Sequence, residues 1–119
     1  MNQSTKRSSY SSETELYVVL CTVPDKACAQ HIAADVIKKR LAACVNIVPG
    51  LESVYEWQGE VVYDQEMLLL IKTPPPGYLA LQERLLQLHP YDTPEIIAVP
   101  IEAGLDAYVR WAQRTIASA

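Results

Sequence analysis

The side chains that could do chemistry in this chain are few and scattered. They are three cysteines (Cys21, Cys28, Cys44), two histidines (His31, His89), and carboxylates that include Glu95 and the close pairs Glu13/Glu15 and Glu52/Glu56. Thiolate and imidazole are soft to borderline donors that suit copper or zinc over magnesium or calcium. None of these residues sits in a spaced catalytic pattern: there is no nucleophile elbow, no glycine-rich phosphate loop, no HExxH and no paired-cysteine metal motif. The carboxylate pairs have neither a neighbouring nucleophile nor an oxyanion donor, and they read as solvated charges. The chain is therefore expected to bind something and not to be an enzyme.

The elements that must position these residues follow from periodicity. Residues 16–22 (LYVVLCT) are β-branched and apolar, as a strand covered on both faces would be. Pro24 and Asp25 stop it, and Asp25 is placed to cap a helix. Ala29, Ile32, Ala33, Val36, Ile37 and Leu41 then recur at spacings of three and four, and Lys38, Lys39 and Arg40 meet the negative end of that helix's dipole. A second strand spans 44–57 with a bend at Pro49–Gly50, a tight turn follows at Gln58–Gly59, and a third strand returns over 61–73. The prolines of 73–77 open a second helix that carries Tyr78, Leu81, Leu85 and Leu88 on one side and ends at His89–Pro90. A fourth strand over 93–101 and a closing helix through Leu105, Tyr108, Val109, Ala112 and Ile116 complete the chain.

The order β-α-β-β-α-β plus a further helix predicts an α/β (α+β) ferredoxin-like sandwich. In that fold the first and fourth strands are antiparallel neighbours. The end of the first, the start of the fourth and the end of the second helix then share one sheet edge, which brings Cys21, His89 and Glu95 together. Each has a plainer alternative. Cys21 would be a small buried hydrophobe, His89 a partner for the last helical carbonyls, and Glu95, on the preferred reading, an exposed or ion-paired carboxylate. His31 is expected on the surface and Cys44 in the core. Cys28 is expected in the first turn of a helix, where the dipole lowers a thiol pKa.

One mismatch of lengths points to self-association. A strand over 44–57 extends ~45 Å, whereas the helix over 25–41 covers only ~25 Å. The overhang carries Val54, Tyr55, Trp57, Val61, Val62 and Tyr63, too apolar to leave as a bare edge, so a closed ring of identical subunits is expected. Trp57 and Tyr55 would be buried in that interface, or would stack on a ligand in a cleft between subunits.

Composition narrows the partners. With 119 residues, half of them apolar and a fifth charged, the chain has the size of a single packed domain. A net charge of −4 argues against nucleic acid and anionic membranes, which need a basic face. No segment approaches the roughly 20 apolar residues of a membrane span. Residues 1–14 are polar, lack the apolar run of a secretory signal, and are read as a disordered tail ahead of a domain over 15–119. Three cysteines, an odd number at scattered positions, suggest reduced thiols and a cytoplasmic location.

Longer segments carry a resemblance. VVLCTVPD (18–25), KRLAACVNIVPGLESVYEWQGE (39–60), LLLIKT (68–73), HPYDTPEIIAVPI (89–101) and YVRW (108–111) resemble the CutA divalent-cation-tolerance family. The resemblance implies a ferredoxin-like fold, a tight homotrimer shaped like the PII signalling proteins, and binding of divalent metal, copper (Cu2+) first and zinc among the others. It implies Cys21 and His89 as metal ligands. Some members carry two adjacent histidines before the proline, and here the first of those positions is Leu88. The alternative from a different class is a PII-like signalling trimer that takes a small metabolite in its intersubunit clefts.

Overall fold

The computed structural model describes Tyr10, Ser11 and residues 15–116. In chain order the elements are β1 (Tyr10–Ser11), β2 (Tyr17–Val23), α1 (Lys26–Lys38), β3 (Cys44–Trp57), β4 (Glu60–Thr73), a 3-10 turn (Pro75–Gly77), α2 (Tyr78–Leu88), β5 (Ile96–Pro100), β6 (Gly104–Leu105) and α3 (Asp106–Thr115). The main sheet has the order β3-β4-β2-β5, antiparallel throughout, which is the ferredoxin-like arrangement expected above. The reading of 1–14 as a tail lies outside the described residues except at Tyr10–Ser11, which pair with Gly104–Leu105.

Local chemistry explains where the elements begin and end. Asp25 caps α1 by accepting the Cys28 amide at 2.8 Å. The helix stops at Lys38, three residues before the expected Leu41, in a Schellman turn: the Arg40 amide bonds to Ile37 O and the Leu41 amide to Val36 O. Arg40 takes φ +57° there, a left-handed conformation usually left to glycine, so it lies past the helix end that its charge was expected to serve. The hairpin tip is a two-residue turn with φ positive at both Gln58 and Gly59, the twist-matched form for tightly paired strands. The bend in β3 is a register shift between Val48 and Leu51, with Gly50 at φ +77°. β5 starts at Ile96 and not at 93: Pro94 has no amide to give a ladder, and Tyr91 is bonded to His89 and Glu66 instead.

Period two along the strands divides the sheet into two unlike faces. Val19, Cys21, Val23, Leu69 and Ile71 point to one side, fully buried beneath Ala29, Ile32 and Val36 of α1 and Leu81 and Leu85 of α2. Arg84 of α2 grips Asp35 of α1 through two bonds of 2.8 and 2.7 Å, tying the helices together. The opposite side carries Val18, Leu20, Leu68 and Leu70, half-buried, with Val48, Ile97 and Val99 between 39 and 50 % exposed. Neither α1 nor α2 covers that side. A strand with one wet face normally alternates apolar with polar residues, so β2 has the composition of a two-sided strand with only one side filled.

Replacing Arg40 with glycine should relieve the left-handed strain and stabilise the protein by about 0.5–1 kcal/mol. Denaturant titration would show it as a higher midpoint at unchanged slope, whereas an unchanged or lower midpoint would mean the arginine side chain contributes more than its backbone costs.

Candidate functional site

The structure brings the expected residues to one sheet edge, as the strand order required. Cys21 pairs with Ile96 in the register, next to Glu95, and His89 reaches the Thr22 carbonyl beside it. Being adjacent does not make them a donor set. His89 closes α2, with its amide on Leu85 O at 2.9 Å, and its ring is held from both ends. Nδ1 accepts the Tyr91 amide at 3.1 Å, and since an amide can only donate, the ring proton lies on Nε2 and is donated to Thr22 O at 2.8 Å. Both nitrogens are thereby in use. Cys21 is fully buried on the helix side of β2, and burial, with Cys28, Glu95 and Glu66 adding to it, pushes its thiol up to about 12. A metal ligand must be deprotonated and must present a lone pair. Cys21 is sealed beneath the helices and both nitrogens of the neutral His89 ring are taken by backbone groups, so the pair as arranged does not fit a resident copper or zinc ion. Among the described residues no group of three or more His, Cys, Asp or Glu is disposed to hold one.

His89 has a structural task instead. Its bonds to Thr22 O and to the Tyr91 amide turn the 91–95 loop across the end of β2, and the tilted Tyr91 ring lies 4.7 Å from the imidazole. Tyr91 then donates its hydroxyl to Glu66 Oε2 at 3.1 Å, on the same side of the sheet as Thr22. Between this loop and the departing β3–β4 hairpin opens a cleft of about 790 Å³. Thr22 and Glu66 border it from the sheet, Ser53, Val54, Tyr55 and Trp57 from β3, and Tyr91, Asp92, Thr93 and Glu95 from the loop. Among the described residues its lining has three carboxylates and three aromatic rings and no basic side chain. The phenol of Tyr91 is pushed up to about 12, by burial first and then by Glu66, and that of Tyr55 is raised by its hydrogen bond to Asp64.

Other expectations fare unevenly. His31, Glu15, Glu52 and Glu56 are exposed, and Glu52 accepts a bond from Gln65 at 3.0 Å. Glu13 lies outside the described residues. Cys44 is half-buried beside Tyr108. The thiol of Cys28 is raised, not lowered, by partial burial and then by the capping Asp25 carboxylate. Glu66, Tyr91 and Asp92 were not singled out from sequence. The one available signal was a lone acid, Glu66, heading the apolar run that begins at Met67.

Comparison with known proteins follows the same lines. The family described as "CutA1 divalent ion tolerance protein" matches residues 17–115. A divalent-cation tolerance protein CutA of Thermus thermophilus is 56 % identical over 94 residues, which is 79 % of this chain and 91 % of that one. The solved structure of a divalent cation tolerance protein (Cut A1) from the same organism superposes with TM-score 0.83 at 52 % identity, covering 86 % of this chain and 99 % of that one. CutA1 from Oryza sativa superposes with TM-score 0.87 at 44 % identity, covering 92 % and 100 %.

The Cys21 thiol makes the site's pH behaviour testable. Its folded pKa lies above the unfolded value, so its stabilising effect is complete below about 8.5 and is lost as pH rises from there toward 12. Cys21→Ala should flatten the alkaline decline in stability relative to the parent, read as melting temperature against pH. In the native protein a thiol reagent should modify Cys28 and Cys44 well before Cys21. Labelling of Cys21 at a rate like theirs would contradict the burial.

Proposed function

This chain belongs to the CutA1 divalent ion tolerance family, and from that membership we propose that it acts as a homotrimeric, non-enzymatic binding protein in the cytoplasmic response to divalent cations. The observation that carries the reading is the uncovered apolar face of the sheet. Val18, Leu20, Leu68, Leu70, Ile97 and Val99 form a continuous surface there, Trp57 continues that face onto the hairpin beyond the helices, and Val54, Val61 and Tyr63 are exposed on the hairpin's other face. Identical copies packed around a closed symmetry axis would bury both. The cytoplasmic placement is supported by Cys21, Cys28 and Cys44, all free thiols.

Copper and zinc are the cations of this reading, but the saturated His89 ring and the sealed Cys21 argue against a preformed centre on that pair. The ligand site we propose is the cleft under the hairpin, at the rim of the face where copies would meet. This favours the small-ligand form of the protein, related in shape to PII trimers, over a resident metalloprotein.

Light scattering should report a mass of about 40 kDa, three times the 13.3 kDa chain. Ile97→Lys with Val99→Lys should shift it to smaller species, and a parent protein that is monomeric at micromolar concentration would refute the assembly. In titrations with Cu(II), and with redox-inert Zn(II) as control, Cys21→Ser and His89→Gln should bind like the parent. A large loss of affinity in either variant would instead place the metal on that pair.

A further inference from the structure

We infer that the cleft between the β3–β4 hairpin and the 91–95 loop binds a compact organic ammonium ion, seated against aromatic rings with Glu66 as its counter-charge. The inference rests on reading the cleft as the ligand site and adds the class of ligand.

Glu66 carries the argument. Its side chain belongs to a residue only 9 % exposed, yet the sole hydrogen bond it receives among the described residues is the neutral Tyr91 hydroxyl on Oε2. Among those residues no Lys, Arg or His forms an ion pair with it, and Oε1 is left without a donor. A carboxylate this far from water is costly unless a cation or further donors meet it, and the open side of Glu66 is the cleft. Asp92 and Glu95 on the facing loop add negative charge, and among the described residues no basic side chain lines the cleft to offset them. Anionic ligands are thereby disfavoured.

The walls decide between kinds of cation. Tyr55, Trp57 and Tyr91 line it with aromatic rings, whose faces attract ammonium groups through their quadrupoles, and both phenol hydroxyls are already bonded to the carboxylates of Asp64 and Glu66. The carboxylates are spread around the cleft and do not converge as metal ligands. A volume of about 790 Å³ lies in the range that small organic molecules fill and far exceeds a bare ion. Aromatic faces with a buried carboxylate behind them are the chemistry of amine and quaternary-ammonium recognition.

The test uses the full chain in its solution assembly and two probes of nearly equal shape: choline, and 3,3-dimethyl-1-butanol, in which a neutral carbon replaces the ammonium nitrogen. Calorimetric titration should show saturable choline binding and at least about tenfold weaker binding of the alcohol. Glu66→Gln should weaken choline about tenfold while leaving circular dichroism and assembly mass unchanged. Glu95→Gln, an exposed position that does not threaten folding, should weaken it by a smaller factor. If both probes bind alike, the cleft is a ligand site but not for cations, and this inference falls alone. If neither binds, the cleft reading falls with it. Choline binding undiminished in Glu66→Gln would remove the counter-charge and overturn the proposal.

Discussion

The two-residue period of β2 is the constraint on which the rest of the molecule depends. Seven consecutive pairs with β4 and five with β5 hold β2 at the centre of the sheet and leave it no freedom of register. A slip by one residue would exchange its faces, moving Cys21 and Val19 out of the core and Thr22 into it. The same alternation separates the two chemistries of the protein. Odd positions 19, 21 and 23 lie in the dry layer beneath the helices. At Thr22, the backbone carbonyl anchors His89 and the side chain borders the cleft.

From that anchor the site is assembled at long range. His89 joins the end of α2 to the end of β2 across 67 residues, and Tyr91 joins the loop to Glu66 across 25. The histidine is thus a strut whose two nitrogens are committed to backbone groups, and the cysteine beside it is part of the core. A thiol and an imidazole at one sheet edge need not be a metal site. What separates the cases is whether lone pairs remain free once backbone donors and acceptors are satisfied.

Much of the fold was legible in the sequence because local signals agreed with one another. The 44–57 strand, its bend at Pro49–Gly50, the Gln58–Gly59 turn and the Asp25 cap were all expected where they occur. The failures were at places where a distant contact overrode a local preference. Pro94 and Glu95 lie in a run with strand composition but precede β5, where Pro94 lacks the amide a ladder needs and the loop before it is turned by the His89–Tyr91 bond. Arg40 reads as a last-turn cation but takes the left-handed position beyond the helix. Cys28 sits at a helix start, but partial burial and then the capping aspartate raise its thiol. The cleft was the least legible feature, since its members come from three separate segments and only Tyr55 and Trp57 stood out as aromatics in need of a partner. Cys21 and His89 end at one edge of the sheet, but donor type and proximity say nothing of which lone pairs the backbone has already taken.

Strand β5 shows how the sheet's outer edge is guarded. It is five residues long, ends on Pro100 and is preceded by Pro94, so a proline without an amide proton stands near each end of an otherwise apolar run. In a single chain Ile97 and Val99 are bare, as they are in any newly made copy. In that state an open strand is a template for cross-β growth. The prolines withhold the donors that an incoming strand would need to continue the ladder in either direction. The edge can therefore be apolar enough for ordered packing and still be a poor seed for fibrils.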